Sequence, residues 1–344
     1  MGKMWIRADG GPGIGAGHLM RCLSVALAAQ NAGVDVSFLV SNQWSAQFLA
    51  SSGVKCAHLD GDSFVLGLDD ANRILKHARP HDAVLVDSYA VSDAFFDGLS
   101  GNGLRIAYID DRYLFAGGAL ECPRFWNVDF IIDYGFSADK CSYEDVYAGS
   151  RTGLLLGPRY APVRQVFSES RLHRKQCSTN RVLITCGSTN PKLALEKMVE
   201  GCLAGCDLHL DVVIGALAEF NEELLSTNRI AVHRGVRNLA PFMERSAFAI
   251  SAAGMTLYEL SCVGVPTIAC SIVDNQTGNT NGFRALGLGV SLNNDWKVAD
   301  VKSAVASLVE DKTVLDRIHS AMIKTVDGHG AERIVRVLTK WDAL

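Results

Sequence analysis

The sequence has no stretch of about 18 uncharged apolar residues, so it predicts no transmembrane helix. It also lacks an excess of positive charge: 33 lysines and arginines stand against 37 aspartates and glutamates, a formal charge of -4. That balance offers no electrostatic footprint for nucleic acid. The first residues include charges and contain no apolar segment of signal-peptide length. We therefore expect a cytoplasmic protein with no nucleic-acid partner and no membrane span.

Cysteines are present, ten in all, but they lack the spacing of a disulfide framework or a zinc site. No CxxC pair occurs, and the closest two are Cys202 and Cys206. Scattered cysteines in a chain of this length are typical of small buried side chains in a reducing compartment. His77 and His81 are four residues apart, but Pro80 breaks the helix that would align them. The sequence therefore predicts neither a metal ion nor a cofactor.

Short apolar runs alternate with helical patterns from one end of the chain to the other. Strands are expected at 5–9, 34–40, 83–87, 104–109, 128–132 and 152–156, and again at 181–186, 208–214, 229–233, 248–251 and 266–270. Apolar strands that alternate with helices predict parallel sheets covered by helices on both faces. The expected fold class is α/β, with two doubly wound Rossmann-like domains facing a central cleft.

The connection between these domains is expected within residues 157–180, which carry prolines, many charges and no clear periodicity. The predicted domains are 1–165 and 166–344. An apolar stripe of Val298, Val301, Val305 and Leu308 predicts a helix, and residues 314–344 also have a helical pattern. In such folds ligands bind outside the carboxyl ends of the strands, so the motifs that follow strands carry the functional argument.

The first of these motifs is the glycine-rich stretch 10–18, between the first strand and the first helix. Gly13, Gly15 and His18 occupy the positions of a G-x-G-x-x-G fingerprint. The histidine in place of the third glycine, and the lack of a well-placed acidic residue downstream, disfavour a dinucleotide site. Glycines allow a close approach to a ligand, and a histidine at the helix start can take a proton from water. The alternative is that His18 is only a polar helix cap, and Arg21, taken alone, reads as a surface charge.

The second motif is the segment 251–260, which follows an apolar strand and opens a helix. Thr256 and Glu259 have the spacing of a capping box, which is a purely structural interpretation. The functional alternative is that the helix N-terminus at Gly254 binds a phosphate while Glu259 accepts hydrogen bonds from a ribose diol. Two more polar loops, 187–191 and 274–276, follow expected strands. Together the three loops indicate a nucleotide pocket.

Three aspartates end strands of the first half: Asp87, Asp110 and Asp111. Carboxylates in such positions can bind a metal ion. The commoner use is to cap helices and fix loops, and we favour that interpretation here.

Taken together, the motifs resemble those of PseG, the UDP-sugar hydrolases of pseudaminic acid biosynthesis, and their SpsG-like relatives. The matching segments in chain order are 6–9 (IRAD), 15–22 (GAGHLMRC), 86–89 (VDSY), 109–111 (IDD), 156–164 (LGPRYAPVR), 254–259 (GMTLYE) and 275–276 (NQ). They span almost the whole chain. One departure is visible: the family usually has a double glycine in the loop that here begins at Gly187 and reads GSTNP.

This resemblance implies a GT-B fold similar to the MurG-type glycosyltransferases. It implies hydrolysis of UDP-2,4-diacetamido-2,4,6-trideoxy-β-L-altropyranose to UDP and the free sugar. The anomeric carbon–oxygen bond would break with inversion and without a metal, in a pathway that leads to flagellin glycosylation. The expected partner is thus a small-molecule UDP-sugar, and a monomer is compatible with the sequence.

The resemblance also implies roles for individual residues. His18 is the expected general base, with Tyr89 on the sugar side, Glu259 on the ribose, and the amides near Gly254 and Thr256 on the diphosphate. The remaining residues expected to contact the substrate are Gly17, Arg21, Arg164, Gly187, Asn275 and Gln276. For Arg164 a structural ion pair is an equal alternative.

Two other functions remain open at this point. A glycosyltransferase on the same fold would replace water by an acceptor hydroxyl, and a nucleotide-sugar-binding module would not turn over at all. A module has no need of a base after the glycine loop, so His18 argues against it. Release of UDP without any acceptor distinguishes the hydrolase from both.

Overall fold

The computed structural model describes residues 2–11, 14–59, 65–110, 125–138, 143–174, 180–187, 190–215, 218–221 and 227–340. The chain forms two compact units. The first unit comprises Met1–Tyr134, Ala138–Pro162 and His329–Leu344, and the second unit comprises Gly135–Ser137 and Val163–Gly328.

The first unit is built on a seven-stranded parallel sheet in the order β3-β2-β1-β4-β5-β6-β7. Its strands are β1 Met4–Ala8, β2 Val36–Val40, β3 Lys55–His58, β4 Ala83–Asp87, β5 Arg105–Ile109, β6 Phe130–Asp133 and β7 Gly153–Leu156. Its helices are α1 Gly17–Asn31, α2 Gln43–Leu49, α3 Leu68–Leu75, α4 Asp93–Leu99 and α5 Tyr143–Val146. Every residue of the central strands β1 and β4 is buried, because helices cover both faces of a doubly wound sheet.

The second unit repeats this plan with a six-stranded parallel sheet in the order β10-β9-β8-β11-β12-β13. Its strands are β8 Arg181–Thr185, β9 His209–Ile214, β10 Ile230–Arg234, β11 Phe248–Ala252, β12 Thr267–Cys270 and β13 Gly289–Leu292. Its helices are α6 Gln165–His173, α7 Ala194–Gly205, α8 Ala240–Arg245, α9 Met255–Val263, α10 Thr277–Ala285, α11 Val298–Glu310 and α12 Lys312–Thr325. In both sheets the strand order reverses beside the first strand of the unit, and ligands bind at such points in open α/β sheets.

The last helix, α13 Gly330–Thr339, is part of the first unit, although the predicted division at residue 165 assigned it to the second domain. It packs on α1 and on the 3₁₀ turn Pro158–Tyr160. The physical reason is its apolar face, which buries Ile334, Val335 and Leu338. The units divide between Pro162 and Val163, three residues before the predicted boundary.

Most expected strands form within two residues of the predicted bounds, and the apolar stripe of α11 is buried at Val301, Val305 and Leu308. Two edge strands, β3 and β13, were not predicted, since both are short and only partly apolar. Residues 157–180, which show no clear periodicity in sequence, contain the helix α6, in which only Phe167 and Ser170 are buried.

Of the cysteines that the structure describes, most are buried as expected, while Cys206 is half-buried and Cys56 is exposed. Within the described ranges, no helix has both the length and the apolar composition needed to cross a membrane.

Candidate functional site

The candidate site of the first unit forms where β1 and β4 end side by side. His18 is the second residue of α1, which follows β1, and its side chain is buried. Asp87 is the last residue of β4 and pairs in register with Ala8, the last residue of β1. This register brings Nδ1 of His18 to 2.5 Å from Oδ1 of Asp87.

Arg21 lies one turn further along α1 and forms a two-point ion pair with the same carboxylate. Its Nε donates to Oδ2 of Asp87 at 2.6 Å and its Nη2 to Oδ1 at 2.5 Å. Its Nη1 donates to the hydroxyl of Tyr134 at 2.6 Å. The interpretation of Arg21 as a surface charge is therefore wrong: a fully buried carboxylate beneath α1 requires a buried countercharge.

These contacts decide the ionisation of Asp87. Burial raises the pKa of this carboxyl, but the charges and hydrogen bonds of Arg21 and His18 outweigh it and hold the pKa well below its usual value. An ionised carboxylate can only accept hydrogen bonds, so the close Nδ1–Oδ1 contact requires a proton on Nδ1 of His18. In the neutral imidazole this leaves Nε2 as the proton acceptor.

Tyr89, two residues beyond Asp87, packs against the histidine. The two rings meet edge to face with centroids 4.5 Å apart, and 42% of Tyr89 is exposed. Gly17 is also exposed, and a β-carbon there would meet no atom within 4 Å. Open space and a partly exposed aromatic ring therefore flank His18.

The glycine loop before His18 is shaped by packing against Trp44. A β-carbon on Gly10 would lie 2.8 Å from the carbonyl oxygen of Gly15 and 2.9 Å from the Trp44 ring. Gly11 and Gly15 have φ values of 137° and 82° and exchange two backbone hydrogen bonds. Close approach therefore explains Gly10, and positive φ values explain Gly11 and Gly15, while Gly13 lies outside the described residues.

The candidate site of the second unit forms at the start of α9, which follows β11. Gly254 is the N-cap residue and no side chain caps the helix. The capping-box interpretation is wrong, because Glu259 hydrogen bonds to Arg164 instead of to the helix start. The first backbone N–H groups of α9, around Thr256, therefore remain for another acceptor.

Gln276 directs a donor toward this helix start. Its Oε1 accepts a hydrogen bond from the backbone N–H of Ile272 at 3.0 Å. Its Nε2 lies 3.9 Å from the point that a β-carbon on Gly254 would occupy. The side-chain amide thus presents its two N–H donors next to the N-terminus of α9. Asn275 lies in the same 3₁₀ turn, Asp274–Gln276, and its side chain is outside what the structure describes.

Asn279, which the sequence reasoning missed, fixes the turn between β11 and α9. Its Nδ2 donates to the carbonyl oxygen of Ala253 at 3.0 Å, and its Oδ1 accepts from the hydroxyl of Tyr258 at 2.7 Å. The sequence signal that could have indicated Asn279 is its position three residues after Gln276, a spacing that brings two side chains to the same helix face.

The loop after β8 contains the departure from the family pattern. Gly187 is exposed with a φ of 82°, and residues 188 and 189 lie outside the described part of the chain. Nδ2 of Asn190 donates to Oε2 of Glu196 at 2.7 Å, and its Oδ1 accepts from the N–H of Leu195 at 2.8 Å. An ionised aspartate at position 190 could not donate a hydrogen bond to the buried Glu196 carboxylate, so an asparagine suits this position.

Glu259 lies one turn into α9 and is buried. Oε1 of Glu259 accepts from Nε of Arg164 at 3.3 Å and from Nη2 at 3.2 Å. Burial raises the pKa of Glu259 to about 7, although the charge of Arg164 opposes this shift. Arg164 therefore forms the ion pair that was one of its two predicted roles, while its predicted contact with a substrate stays a prediction.

The strand-ending aspartates do not form a metal site in the part of the chain that the structure describes. Asp87 binds His18 and Arg21, Asp110 is buried at the end of β5, and Asp111 lies outside the described residues. Across the described ranges, no group of three histidine, cysteine or carboxylate side chains is arranged to hold a metal ion.

Comparison with known sequences finds two curated relatives, while no family model matches the chain. An uncharacterized protein of Methanocaldococcus jannaschii is 23% identical over 282 residues, which cover 77% of this chain and 55% of that protein. The spore coat polysaccharide biosynthesis protein SpsG of Bacillus subtilis is 25% identical over 209 residues, which cover 56% of this chain and 60% of SpsG. The chain thus spans little more than half the length of the curated relatives it matches.

Comparison with solved structures finds the same fold over the full chain. MurG of Acinetobacter baumannii has a TM-score of 0.67 at 14% identity and covers 98% of this chain and 99% of its own. UGT2 of Phytolacca americana, complexed with UDP-2-fluoro-glucose and pterostilbene, has a TM-score of 0.66 at 12% identity and covers 99% of both chains. The fold is therefore GT-B, as the motif resemblance implied, and its two units are doubly wound as the strand pattern predicted.

These observations define a protein of GT-B fold. The chain resembles SpsG of Bacillus subtilis in sequence and MurG in fold, which confirms that part of the resemblance read from the motifs. The closer likeness to PseG, and the role of each site residue, stay predictions.

Proposed function

We propose that the protein hydrolyses a UDP-sugar: water attacks the anomeric carbon and UDP leaves. The observation that carries this proposal is the buried hydrogen bond between His18 and Asp87, reinforced by Arg21. A site that only binds a nucleotide-sugar has no use for an imidazole oriented in this way. A site that activates water does.

The chemistry of the site in the first unit follows from the proton positions. Asp87 accepts the Nδ1 proton of His18, so Nε2 is free to take a proton from the attacking water. The imidazolium that then forms is stabilised by the ionised carboxylate beside it, as in other His–Asp pairs. A positioned general base of this kind contributes about 10²–10⁴-fold to the rate.

The site in the second unit suits the leaving group. UDP departs with negative charge on its phosphates, and the N-terminus of α9 presents backbone N–H groups with the positive end of the helix dipole. The Nε2 group of Gln276 adds a side-chain donor at the same helix start. Donors fixed in advance stabilise developing charge without reorganisation. Glu259, one turn along α9, is the proposed acceptor for the ribose hydroxyls.

The proposed substrate is UDP-2,4-diacetamido-2,4,6-trideoxy-β-L-altropyranose, cleaved with inversion in pseudaminic acid biosynthesis. The support for this sugar is the motif resemblance, above all in the segments around His18 and Glu259. Inversion follows if water makes a single displacement at the anomeric carbon. No step in this scheme calls for a metal ion.

A glycosyltransferase is the second candidate, favoured by the glycosyltransferases of the same fold. The same His18 Nε2 could take the proton of an acceptor hydroxyl instead of water. The two reactions share the donor and the departure of UDP, and they differ only in the attacking oxygen.

The deciding experiment measures UDP release from this substrate in chelator-treated buffer without an acceptor. It compares the wild type, His18→Asn and, as a matched control, His209→Asn at the exposed amino end of β9. We expect release by the wild type and the control, and a loss of at least about 100-fold in His18→Asn.

Equal release by all three proteins would leave the hydrolysis intact and remove the role of His18. Release that appears only with an added acceptor identifies the transferase. Binding of the UDP-sugar without release under either condition identifies a binding module.

A further inference from the structure

Arg164 contacts Glu259 in an asymmetric way. The arginine immediately precedes α6, and both of its donors to the carboxylate, Nε and Nη2, converge on Oε1. Its third nitrogen, Nη1, donates to the backbone carbonyl of Arg237 at 3.1 Å. The guanidinium also lies over the ring of Phe167, 4.7 Å from its centroid. Arg164 is thus fixed from three directions.

The asymmetry leaves the second oxygen of Glu259 outside the ion pair. No donor of Arg164 lies on Oε2, while an ionised carboxylate offers about four acceptor positions over its two oxygens. A vicinal diol has two O–H donors. An ionised Glu259 can therefore accept from a diol while it keeps its arginine.

A protonated Glu259 would lose this property, and burial favours the protonated form. Burial raises the pKa of Glu259 to about 7, and the charge and hydrogen bonds of Arg164 lower it. Other ionisable groups lie near the next turn of α9. Arg171 of α6 and Asp327, which follows α12, act electrostatically on the Cys262 thiol, and Glu259 does the same. His319 of α12 hydrogen bonds to Gly264 at the end of α9. Only Arg164 hydrogen bonds to the Glu259 carboxylate among the described residues.

We propose that Arg164 is a positioning residue for nucleotide recognition, which holds Glu259 through Oε1 so that Oε2 receives the ribose 2′,3′-diol of UDP. This inference rests on the proposed nucleotide site at α9. It assigns Arg164 a role through Glu259 in place of direct contact with the substrate. The affinity for UDP then depends on pH, because the diol donates its hydrogen bonds to the ionised form of Glu259.

The test compares UDP with 2′,3′-dideoxy-UDP, which lacks the diol but keeps the diphosphate. Both ligands carry the same diphosphate, so titration of the phosphates affects both dissociation constants equally. The ratio of the two constants therefore reports the contribution of the diol. The ratio is measured by calorimetry from pH 5.5 to 8.5 for the wild type, Arg164→Met, Arg164→Lys and the control Arg237→Met. Arg237 is an exposed residue next to Arg164 and carries the same charge.

For the wild type we expect the preference for UDP to grow as pH rises through about 7, by up to about tenfold per pH unit, and then to level off. In Arg164→Met the midpoint moves up by at least about one pH unit, so the preference at pH 7 falls about tenfold. Arg164→Lys keeps a charge and shifts less, while Arg237→Met follows the wild type. A uniform loss of affinity in Arg164→Met with an unmoved midpoint would overturn the inference, since a merely structural residue behaves that way.

A second measurement on the wild type keeps the test valid if Arg164→Met does not fold. The Glu259 carboxyl is titrated by ¹³C NMR with and without each ligand. We expect UDP to lower its pKa and 2′,3′-dideoxy-UDP to leave it unchanged; equal behaviour of both ligands overturns the inference.

Failure of the inference differs from failure of the proposed function. A wild type that binds UDP with the expected pH dependence but releases none from the UDP-sugar rejects the hydrolase and leaves the role of Arg164 intact. A wild type that does not bind UDP rejects both.

Discussion

The two units place different chemistry at the equivalent point of the same fold. In the first unit, the strand ends at the order reversal carry side-chain charges: His18, Arg21 and Asp87 are buried and bonded to one another. In the second unit, the strand ends present the backbone N–H groups of α9 and the Gln276 amide, and the Glu259 carboxylate lies a turn further along α9. Under the proposed function, side chains of the first unit supply the proton acceptor, whereas backbone N–H groups and one side-chain amide of the second unit supply the donors for an anion.

This difference predicts different sensitivities to mutation. A buried ion cluster stabilises the fold only while every partner is present, because each charge has lost its hydration. A helix N-terminus belongs to the backbone and persists through most side-chain changes. The mutations that follow test this contrast, from the largest expected effect to the smallest.

Asp87→Asn should cause the largest loss, about 10³–10⁴-fold in kcat, because an amide no longer fixes the proton on Nδ1 of His18. UDP affinity should be almost unchanged, since this residue lies in the first unit. Turnover and UDP binding are measured side by side, with the exposed Asp35→Asn as the control. A kcat within tenfold of the wild type would show that His18 does not act as the base in this tautomer.

Arg21→Met should destabilise the first unit by about 3–5 kcal/mol, because it leaves the Asp87 carboxylate buried without its main countercharge. Native-state hydrogen exchange of β1 and β4 amides measures this loss locally, while β8 and β11 serve as an internal reference. The exposed Arg317→Met on α12 is the matched substitution. If both variants lose less than about 1 kcal/mol, the two-point ion pair does not hold this unit together.

Glu259→Gln should change the pH dependence of stability. The pKa of Glu259 in the folded protein is about 7, above its ordinary value of 4.5, so its contribution is fully present below about pH 4.5 and is lost as pH rises through 7. The wild type should therefore lose about 3 kcal/mol relative to Glu259→Gln between pH 4.5 and pH 8. Urea unfolding at several pH values checks the slope. A constant difference between the two proteins would contradict the raised pKa.

Gln276→Glu should have the smallest of the four effects, a loss of about 10–100-fold in UDP affinity. The new carboxylate keeps an acceptor for the Ile272 N–H but replaces the Nε2 donor at α9 with a negative charge. Uridine, which has no phosphate, is the control ligand and should bind both proteins equally. Equal UDP affinity in the variant would place the diphosphate elsewhere.

The buried strands were predictable from sequence because a parallel strand inside a doubly wound sheet is apolar on both faces. β4 was expected at its observed bounds, 83–87, for this reason. The edge strand β3 has exposed residues and gave no such signal. α6 buries too few side chains to produce a clear helical period.

The sequence indicated individual residues of the candidate site, but it did not indicate which residues they contact. Motif position indicated His18 and Glu259, but their partners are separated from them by 69 and 95 residues. The pairing of His18 with Asp87 depends on the register between β1 and β4, which hydrophobic patterns do not encode. The capping-box spacing in α9 was misleading, because Glu259 accepts hydrogen bonds from Arg164, which is distant in sequence, and not from the start of its own helix.

The return of α13 to the first unit gives the chain an inserted topology. The continuous segment Val163–Gly328 is covalently an insert between Pro162 and His329. The two joining points are neighbours, since a β-carbon on Gly330 would lie 2.2 Å from the carbonyl oxygen of Ala161. A few residues of linker would therefore close the gap if the insert were removed. For protein engineering, this makes the segment Val163–Gly328 a cassette whose two ends meet the rest of the chain at neighbouring residues.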